Sequence, residues 1–249
     1  MQPDSRHVAI TGGSGGIGRA IAARFAKGGA TLHLLGRTPA RLQEAAEVIR
    51  RDTGASVHTV ECHLERPESL AAALQSLPRI DVLVNAAGSI PRRPLLDTLP
   101  EDWRGAWSDK VLGTVEATRL ACERMRGTGG GVVVNIIGTA GVRLNPKTIM
   151  TTTANATLIA FTQALGAQSV EWGVRVVGIN PGLTATPRTA DMAAGKGAEA
   201  YRALLADLPF GRMAAAAEVA DCAWFLASDE ARYLSATVVD VDGGARWRA

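Results

Sequence analysis

The sequence predicts an α/β protein: one domain spanning residues 1–249, built on a doubly wound parallel sheet with helices on both faces. Two observations carry this expectation. Short apolar runs alternate with longer segments of helical period six or more times, and the first run leads straight into a glycine-rich turn. With 249 residues, 47% of them hydrophobic and 20% charged, the chain has an ordinary composition for one such core.

The elements follow in order. His7 to Ile10 reads as a buried strand, 16–27 as a helix, 31–35 as a strand, and 39–52 as a helix with Leu42, Ala45, Ala46 and Ile49 on one face. Strands at 56–61, 80–85, 131–137 and 174–180 then alternate with helices at 67–77, 103–126 and 151–172. The glycines between 127 and 131 read as a helix-to-strand loop. Strands this apolar must be covered on both sides, so the sheet is parallel and its ligands belong at the carboxyl ends of the strands.

Composition narrows the function classes. Lys and Arg number 27 against 24 Asp and Glu, a net charge of +3 with no run of five like charges, so neither a nucleic-acid arm nor a polybasic membrane patch is expected. No apolar stretch approaches the roughly 18 residues that a membrane-spanning helix needs. The amino terminus MQPDSRHVAI has no apolar signal core. Cys62, Cys122 and Cys222 are odd in number and far apart, so neither a disulfide framework nor a metal site is expected. A cytoplasmic protein fits these features.

The turn after the first strand is Thr11-Gly12-Gly13-Ser14-Gly15-Gly16-Ile17-Gly18, opening the first helix. Glycines let the backbone approach a pyrophosphate, whose charge is favoured by the free amides at a helix N-terminus. Two spacings can be read here, Gly13, Gly15 and Gly18 or Gly12, Gly16 and Gly18. At the end of the second strand stands Leu35-Gly36-Arg37-Thr38, without a carboxylate to bind a ribose 2′-hydroxyl. Arg37 suits a 2′-phosphate, so NADP(H) is favoured, with NAD(H) as the other option and a merely solvated arginine as the bland reading.

Seven motifs then resemble the short-chain dehydrogenase/reductase family in its own order. They are TGGSGGIG at 11–18, Asn85-Ala86-Ala87-Gly88, Val174-Arg175-Val176 leading to Pro181-Gly182 and Thr186, Pro209 to Met213, Glu218-Val219-Ala220, Phe225 to Ser228, and Asp242-Gly243-Gly244. The resemblance implies a Rossmann-type fold with Gly12, Ser14, Gly16, Ile17 and Gly18 at the pyrophosphate, and His63, Leu64, Asn85, Ala86 and Gly88 on the adenosine side. It places Pro181, Gly182 and Thr186 beside the nicotinamide. In the family an acidic residue commonly stands where this chain has His63-Leu64; His63 could contact the adenine there or be structural. The resemblance also implies a homo-oligomer, tetramer or dimer, paired through 103–126 and 151–172.

Reduction of a ketone requires an acid for the developing alkoxide. The family's Asn, Ser, Tyr and Lys positions align with Lys110, Gly138, Thr151 and Asn155, and none matches. The chain contains only Tyr201 and Tyr233, followed four residues later by Leu205 and Thr237, so no YxxxK segment exists. The Asn and Lys types are exchanged between 110 and 155. Lysine reaches water readily, which favours a Lys110 that snorkels outward or contacts a neighbouring subunit; the other reading turns it into the site in place of the missing lysine. The threonines 148, 151, 152 and 153 read first as caps of the helix beginning there. Lys110, Thr151 and Asn155 are the catalytic candidates. Loops at 89–96, 140–150 and 184–201 are expected to line the pocket for a small-molecule substrate, the last as a lid, and Arg92, Arg93, Arg143 and Arg188 suggest a polar or anionic ligand. Two functions remain: an oxidoreductase with a non-standard proton donor acting on a small carbonyl or alcohol, or a cofactor-binding protein without turnover.

Overall fold

Valine-, isoleucine- and leucine-rich runs build the sheet of the computed structural model, which describes residues 6–195 and 197–248. The strands are β1 (His7–Thr11), β2 (Thr31–Gly36), β3 (Val57–Glu61), β4 (Val82–Asn85), β5 (Gly131–Ile136), β6 (Val174–Pro181), the short pair β7 (Thr184–Ala185) and β8 (Ala214–Ala215), and β9 (Val238–Val241). Seven of them form one sheet in the order β3-β2-β1-β4-β5-β6-β9. All neighbours in it run parallel. The order reverses between β1 and β4, and a crevice opens at such a switch point because the crossovers leave to opposite faces.

Alternation along each strand feeds two cores. Val8, Ile10, Leu32, Leu34, Val82 and Val84 meet Ile21 and Phe25 of helix α1 (Gly16–Lys27) and Leu42 and Ile49 of helix α2 (Pro39–Thr53). On the opposite face Ala9, Leu35, Leu83 and Val133 meet Leu70 and Leu74 of helix α3 (Pro67–Gln75). Further along come α4 (Pro100–Ala106), α5 (Gly113–Arg126), α6 (Ile149–Gln168), α7 (Pro187–Ala194), α8 (Ala198–Ala206) and α9 (Ala216–Ala227). Helix α5 adds Ala117, Ala121 and Met125 to the second core, whereas α9 adds Val219 and Leu226 to the first. The doubly wound parallel architecture is therefore as the alternating segments predict.

Some boundaries differ. The helix expected over 103–126 begins at Pro100, where the Asp102 carboxylate accepts the Leu99 amide, and a π-helical turn over Trp107–Leu112 interrupts it before α5. Hydropathy does not show a π turn, because it changes the hydrogen-bond partner and leaves the residue types alone. The helix expected over 151–172 starts at Ile149 and finishes in a 3-10 turn over Ser169–Trp172, and that expected over 67–77 ends at Gln75.

The register pairs Ala9 with His33 and His33 with His58, so histidines from three neighbouring strands stack on one face. Ring centroids of His7 and His33 lie 5.4 Å apart and those of His33 and His58 5.2 Å apart. Burial, reinforced by His58 and His7, lowers the pKa of His33 to about 4. Among the described residues no helix is long and apolar enough to cross a membrane, and no group of three or more His, Cys, Asp or Glu could hold a metal ion.

Candidate active site

A cavity of about 890 Å³ opens at the carboxyl ends of β1, β4, β5 and β6, where Thr11, Ala86, Ile136 and Pro181 line it. Its position is the one that the topology dictates. One wall is the glycine turn. Gly12 has φ +68°, and a Cβ there would stand 2.8 Å from Ala87 Cα. A Cβ on Gly16 would meet Thr186 at 2.7 Å, and one on Gly18 would meet the Gly12 carbonyl at 2.3 Å. These contacts separate the two glycine spacings: 12, 16 and 18 are the close approaches at the cavity, while a Cβ on Gly13 would strike Leu34 and Gly13 does not line the cavity. Gly15 is the N-cap of α1, so the amides of its first turn face this wall with the positive end of a helix behind them. The cradle fits a pyrophosphate, and Ser14 and Ile17 line it with the glycines.

The end of β2 forms the next wall, where Arg37 lies in electrostatic reach of Glu65 and Asp109. Burial opposes ionisation of Glu65, but its own backbone amide, His63 and Arg37 hold its carboxyl below the usual range. Arg41, in the first turn of α2, lines the same corner. Sequence reading passed over Arg41, although its place four residues after Arg37 and two past the helix-opening Pro39 is a usable signal.

Two expected cofactor residues stand elsewhere. His63 does not line the cavity: its ring bridges Glu61 at 3.3 Å and Glu65 at 3.2 Å, because two carboxylates flank it in sequence. Leu64 does line the cavity, buried against the position of Gly113. Asn85 is buried beneath the floor, where its Nδ2 donates to Thr118 Oγ1 at 3.0 Å and Asn135 Oδ1 at 2.9 Å. It thus ties β4 to α5 and β5 and supports Ala86 and Gly88, which reach the cavity. Pro181, Gly182 and Thr186 line the far end.

The four aligned catalytic positions converge on this cavity. Lys110 corrects the expectation of a snorkelling side chain: it is 8% exposed, and its Nζ donates to the Ile137 carbonyl at 3.1 Å. The π turn carries it inward, and Gly88, at φ +108°, leaves room for its stem, since a Cβ there would be 2.8 Å from Lys110 Cγ. Burial, with a smaller contribution from Arg188, lowers the Lys110 pKa to about 8. Asn155 is 2% exposed and donates from Nδ2 to the Gly138 carbonyl at 3.2 Å, leaving its Oδ1 without a partner. The Thr151 hydroxyl is likewise buried and without a partner.

The remaining threonines do not cap α6 as expected. Thr148 occupies the N-cap without a side-chain bond, Thr153 Oγ1 donates back to the Ile149 carbonyl at 3.0 Å, and Thr152 pairs with the Asn145 backbone. Asn145 is the capping side chain, one 3-10 turn earlier, accepting from the Lys147 amide. Neither Tyr201 nor Tyr233 lines the cavity. From the three substrate-side loops come Ser89, Ile90, Arg92, Ala140, Arg143 and residues 184 and 186–189, whereas Arg93 pairs with Asp102 outside. The segment expected as a lid includes Lys196, which lies outside the described residues.

Fold and site together define a nucleotide-binding α/β protein with its ligand cavity at the sheet's switch point. Comparison with known proteins makes the class specific: the family model described as enoyl-(acyl carrier protein) reductase matches residues 12–246. The chain is 32% identical over 239 residues to the 3-oxoacyl-(acyl-carrier-protein) reductase FabG of Aquifex aeolicus, covering 94% of this chain and 95% of that protein. It is 31% identical over 243 residues to the galactitol 2-dehydrogenase (L-tagatose-forming) of Cereibacter sphaeroides, covering 97% and 95%. Among solved structures, L-sorbose reductase from Gluconobacter frateurii, complexed with NADPH and L-sorbose, superposes with a TM-score of 0.92 at 30% identity over 100% of both chains. The chain belongs to the short-chain dehydrogenase/reductase family of oxidoreductases.

Proposed function

We propose that the protein is a nicotinamide-dependent oxidoreductase of a small carbonyl or alcohol, with Lys110 in place of the family's tyrosine as proton donor. The observation that carries this reading is the burial of Lys110 in the cavity wall with a pKa near 8, close to the working pH at which a general acid is most effective. The glycine turn and the first turn of α1 would hold the pyrophosphate, and Pro181, Gly182 and Thr186 the nicotinamide end. A bound nicotinamide supplies the hydride for reduction and accepts it in oxidation. The Lys110 ammonium has three protons, one of them donated to Ile137, and passes another to the developing alkoxide oxygen. The Thr151 hydroxyl orients that oxygen, and Asn155 Oδ1 accepts the hydroxyl of the resulting alcohol. NADP(H) is the favoured cofactor because Arg37 and Arg41 flank the end of β2.

Titration of NADPH and NADH by fluorescence, followed by absorbance at 340 nm with a panel of carbonyl compounds, tests the reading. Binding with turnover that is lost in Lys110→Met supports it. Absence of cofactor binding overturns it, and binding without turnover on any carbonyl favours a cofactor-binding protein that does not react. Assembly as a homotetramer or dimer through α5 and α6 completes the proposal: Leu158 and Thr162 of α6 are buried within the chain, whereas Phe161 and Leu165 are only partly covered and Ala160 and Ala164 are exposed, small enough for close approach. A monomeric mass by light scattering at micromolar concentration would refute it.

A further inference from the structure

We propose that the substrate carries an anionic oxygen group, a carboxylate or a phosphate, received by Lys110, Arg92 and Arg188 beside Thr151 and Asn155. The inference rests on the oxidoreductase reading for the word substrate; the anion site itself rests on the residues. Arg92 follows β4, Lys110 sits in the π turn, Arg188 in the first turn of α7, and Arg143 in the loop before α6, yet all four line the same cavity. Cations from four segments do not converge by chain proximity. Like charges so placed repel each other, and the repulsion is felt: with burial as the larger cause, Arg188 lowers the pKa of both Lys110 and Arg92.

Lys110, the buried cation of the four, has no carboxylate partner among the described residues. Among the described residues Lys110, Arg143 and Arg188 enter no ion pair, the two arginines being exposed and the lysine buried, although arginines elsewhere pair with carboxylates at nine places. The carboxylates on the cavity wall are otherwise engaged or exposed: Asp242 accepts the Gly244 and Arg246 amides, Asp109 lies by Arg37, and Glu44 on α2 and Asp207 at the end of α8 are exposed. A buried ammonium without a counter-charge is costly, and an anionic ligand removes that cost on binding. Thr151 Oγ1, buried and without a partner, supplies a further donor to such a group. Asn155 Oδ1, an unpartnered acceptor in a residue 2% exposed, suits a neighbouring hydroxyl of the same ligand. Guanidinium groups bind carboxylates and phosphates with two parallel bonds, so both anion types satisfy the geometry.

Arg188 follows Pro187, which packs over Gly16, so it stands between the pyrophosphate turn and the rest of the cavity. Cofactor and substrate affinities are therefore measured separately. Isothermal titration on the full chain first gives the NADPH dissociation constant. With NADPH saturating, 4-oxopentanoate is then compared with methyl 4-oxopentanoate, and dihydroxyacetone phosphate with dihydroxyacetone. The anionic member of at least one pair is expected to bind about ten-fold tighter or better, the scale of one charge-assisted contact. Which pair responds distinguishes carboxylate from phosphate. In Arg92→Gln and Arg188→Gln the preference should fall toward parity, with the NADPH constant unchanged in Arg92→Gln.

Equal binding of the charged and neutral members, or no measurable binding of either anion at millimolar concentration, overturns the proposal. So does a loss of NADPH affinity in both variants with the preference intact, which would assign these arginines to the cofactor. If NADPH itself does not bind, the oxidoreductase reading fails, and the same pairs titrated without it still decide the anion site.

Discussion

Lys110 and Asn155 hold consecutive backbone carbonyls: Lys110 Nζ donates to Ile137 and Asn155 Nδ2 to Gly138, just beyond the end of β5. The two side chains come from the π turn and from α6, and this shared anchor places an ammonium and an amide on one stretch of cavity wall. The exchange of residue types seen along the sequence is thus a spatial pairing. Neither group could serve the site from a solvent-facing rotamer.

Lys110 gives a pH signature. An acid works only while protonated, so reduction should be steady below about pH 8 and fall as pH rises through that value. Oxidation should show the opposite limb. The lysine is also held below its usual 10.5, so at neutral pH the fold carries a buried, disfavoured charge. Lys110→Met should therefore abolish turnover and raise stability at pH 7 by about 1–3 kcal/mol, offset in part by the lost bond to Ile137. Paired rate–pH profiles and urea denaturation check both limbs; an unchanged reduction profile in the variant refutes the assignment.

Rebuilding the family's residues tests the alignment. Gly138 sits at φ +126°, and a Cβ there would lie 3.0 Å from Asn155 Nδ2, so Gly138→Ser alone should cost about 1–3 kcal/mol. The combined change Lys110→Asn, Gly138→Ser, Thr151→Tyr, Asn155→Lys removes that amide and supplies a tyrosine acid. It should reduce ketones through that tyrosine, a contribution of about 10²–10⁴-fold, and lose the fall in rate near pH 8 that Lys110 gives the unaltered protein. Rapid reduction of ketones by Lys110→Met, with no tyrosine added, would show that the proton comes from another group.

Arg37 and Arg41 predict that NADPH binds about ten-fold tighter than NADH or better, one charge-assisted pair being worth roughly 1.5–3 kcal/mol. Arg37→Asp should reverse the order. Equal dissociation constants for the two cofactors in the unaltered protein would contradict this.

The histidine stack predicts acid sensitivity. His33 stays neutral in the fold down to about pH 4, whereas the unfolded chain takes up the proton near 6.5. The unfolded state therefore binds more protons in that window, and stability falls as pH drops from 6.5 to 4, by about 3 kcal/mol from this residue. His33→Leu should flatten the slope of unfolding free energy between pH 7 and 4.5. An identical slope would mean that other groups govern it.

Sequence by itself determined the sheet, its parallel sense and the end at which ligands bind. Those properties depend on apolar periodicity and on a glycine turn local to one strand–helix junction, and both are written in contiguous residues. It also determined that the chain lacks a YxxxK segment, which is a matter of inventory. Tertiary structure alone decided the direction of Lys110, because a π turn and the space above Gly88 set it, and neither alters hydropathy. It alone moved His63 and Asn85 off the cavity, since their partners Glu61 and Glu65 in one case and Thr118 and Asn135 in the other compete for the same side chains. It alone brought Arg92, Arg143 and Arg188 to the wall that Lys110 occupies. Residues 18 to 96 apart meet there because parallel strands deliver their following loops to one edge of the sheet, and no pattern along the chain records which of those side chains will face each other.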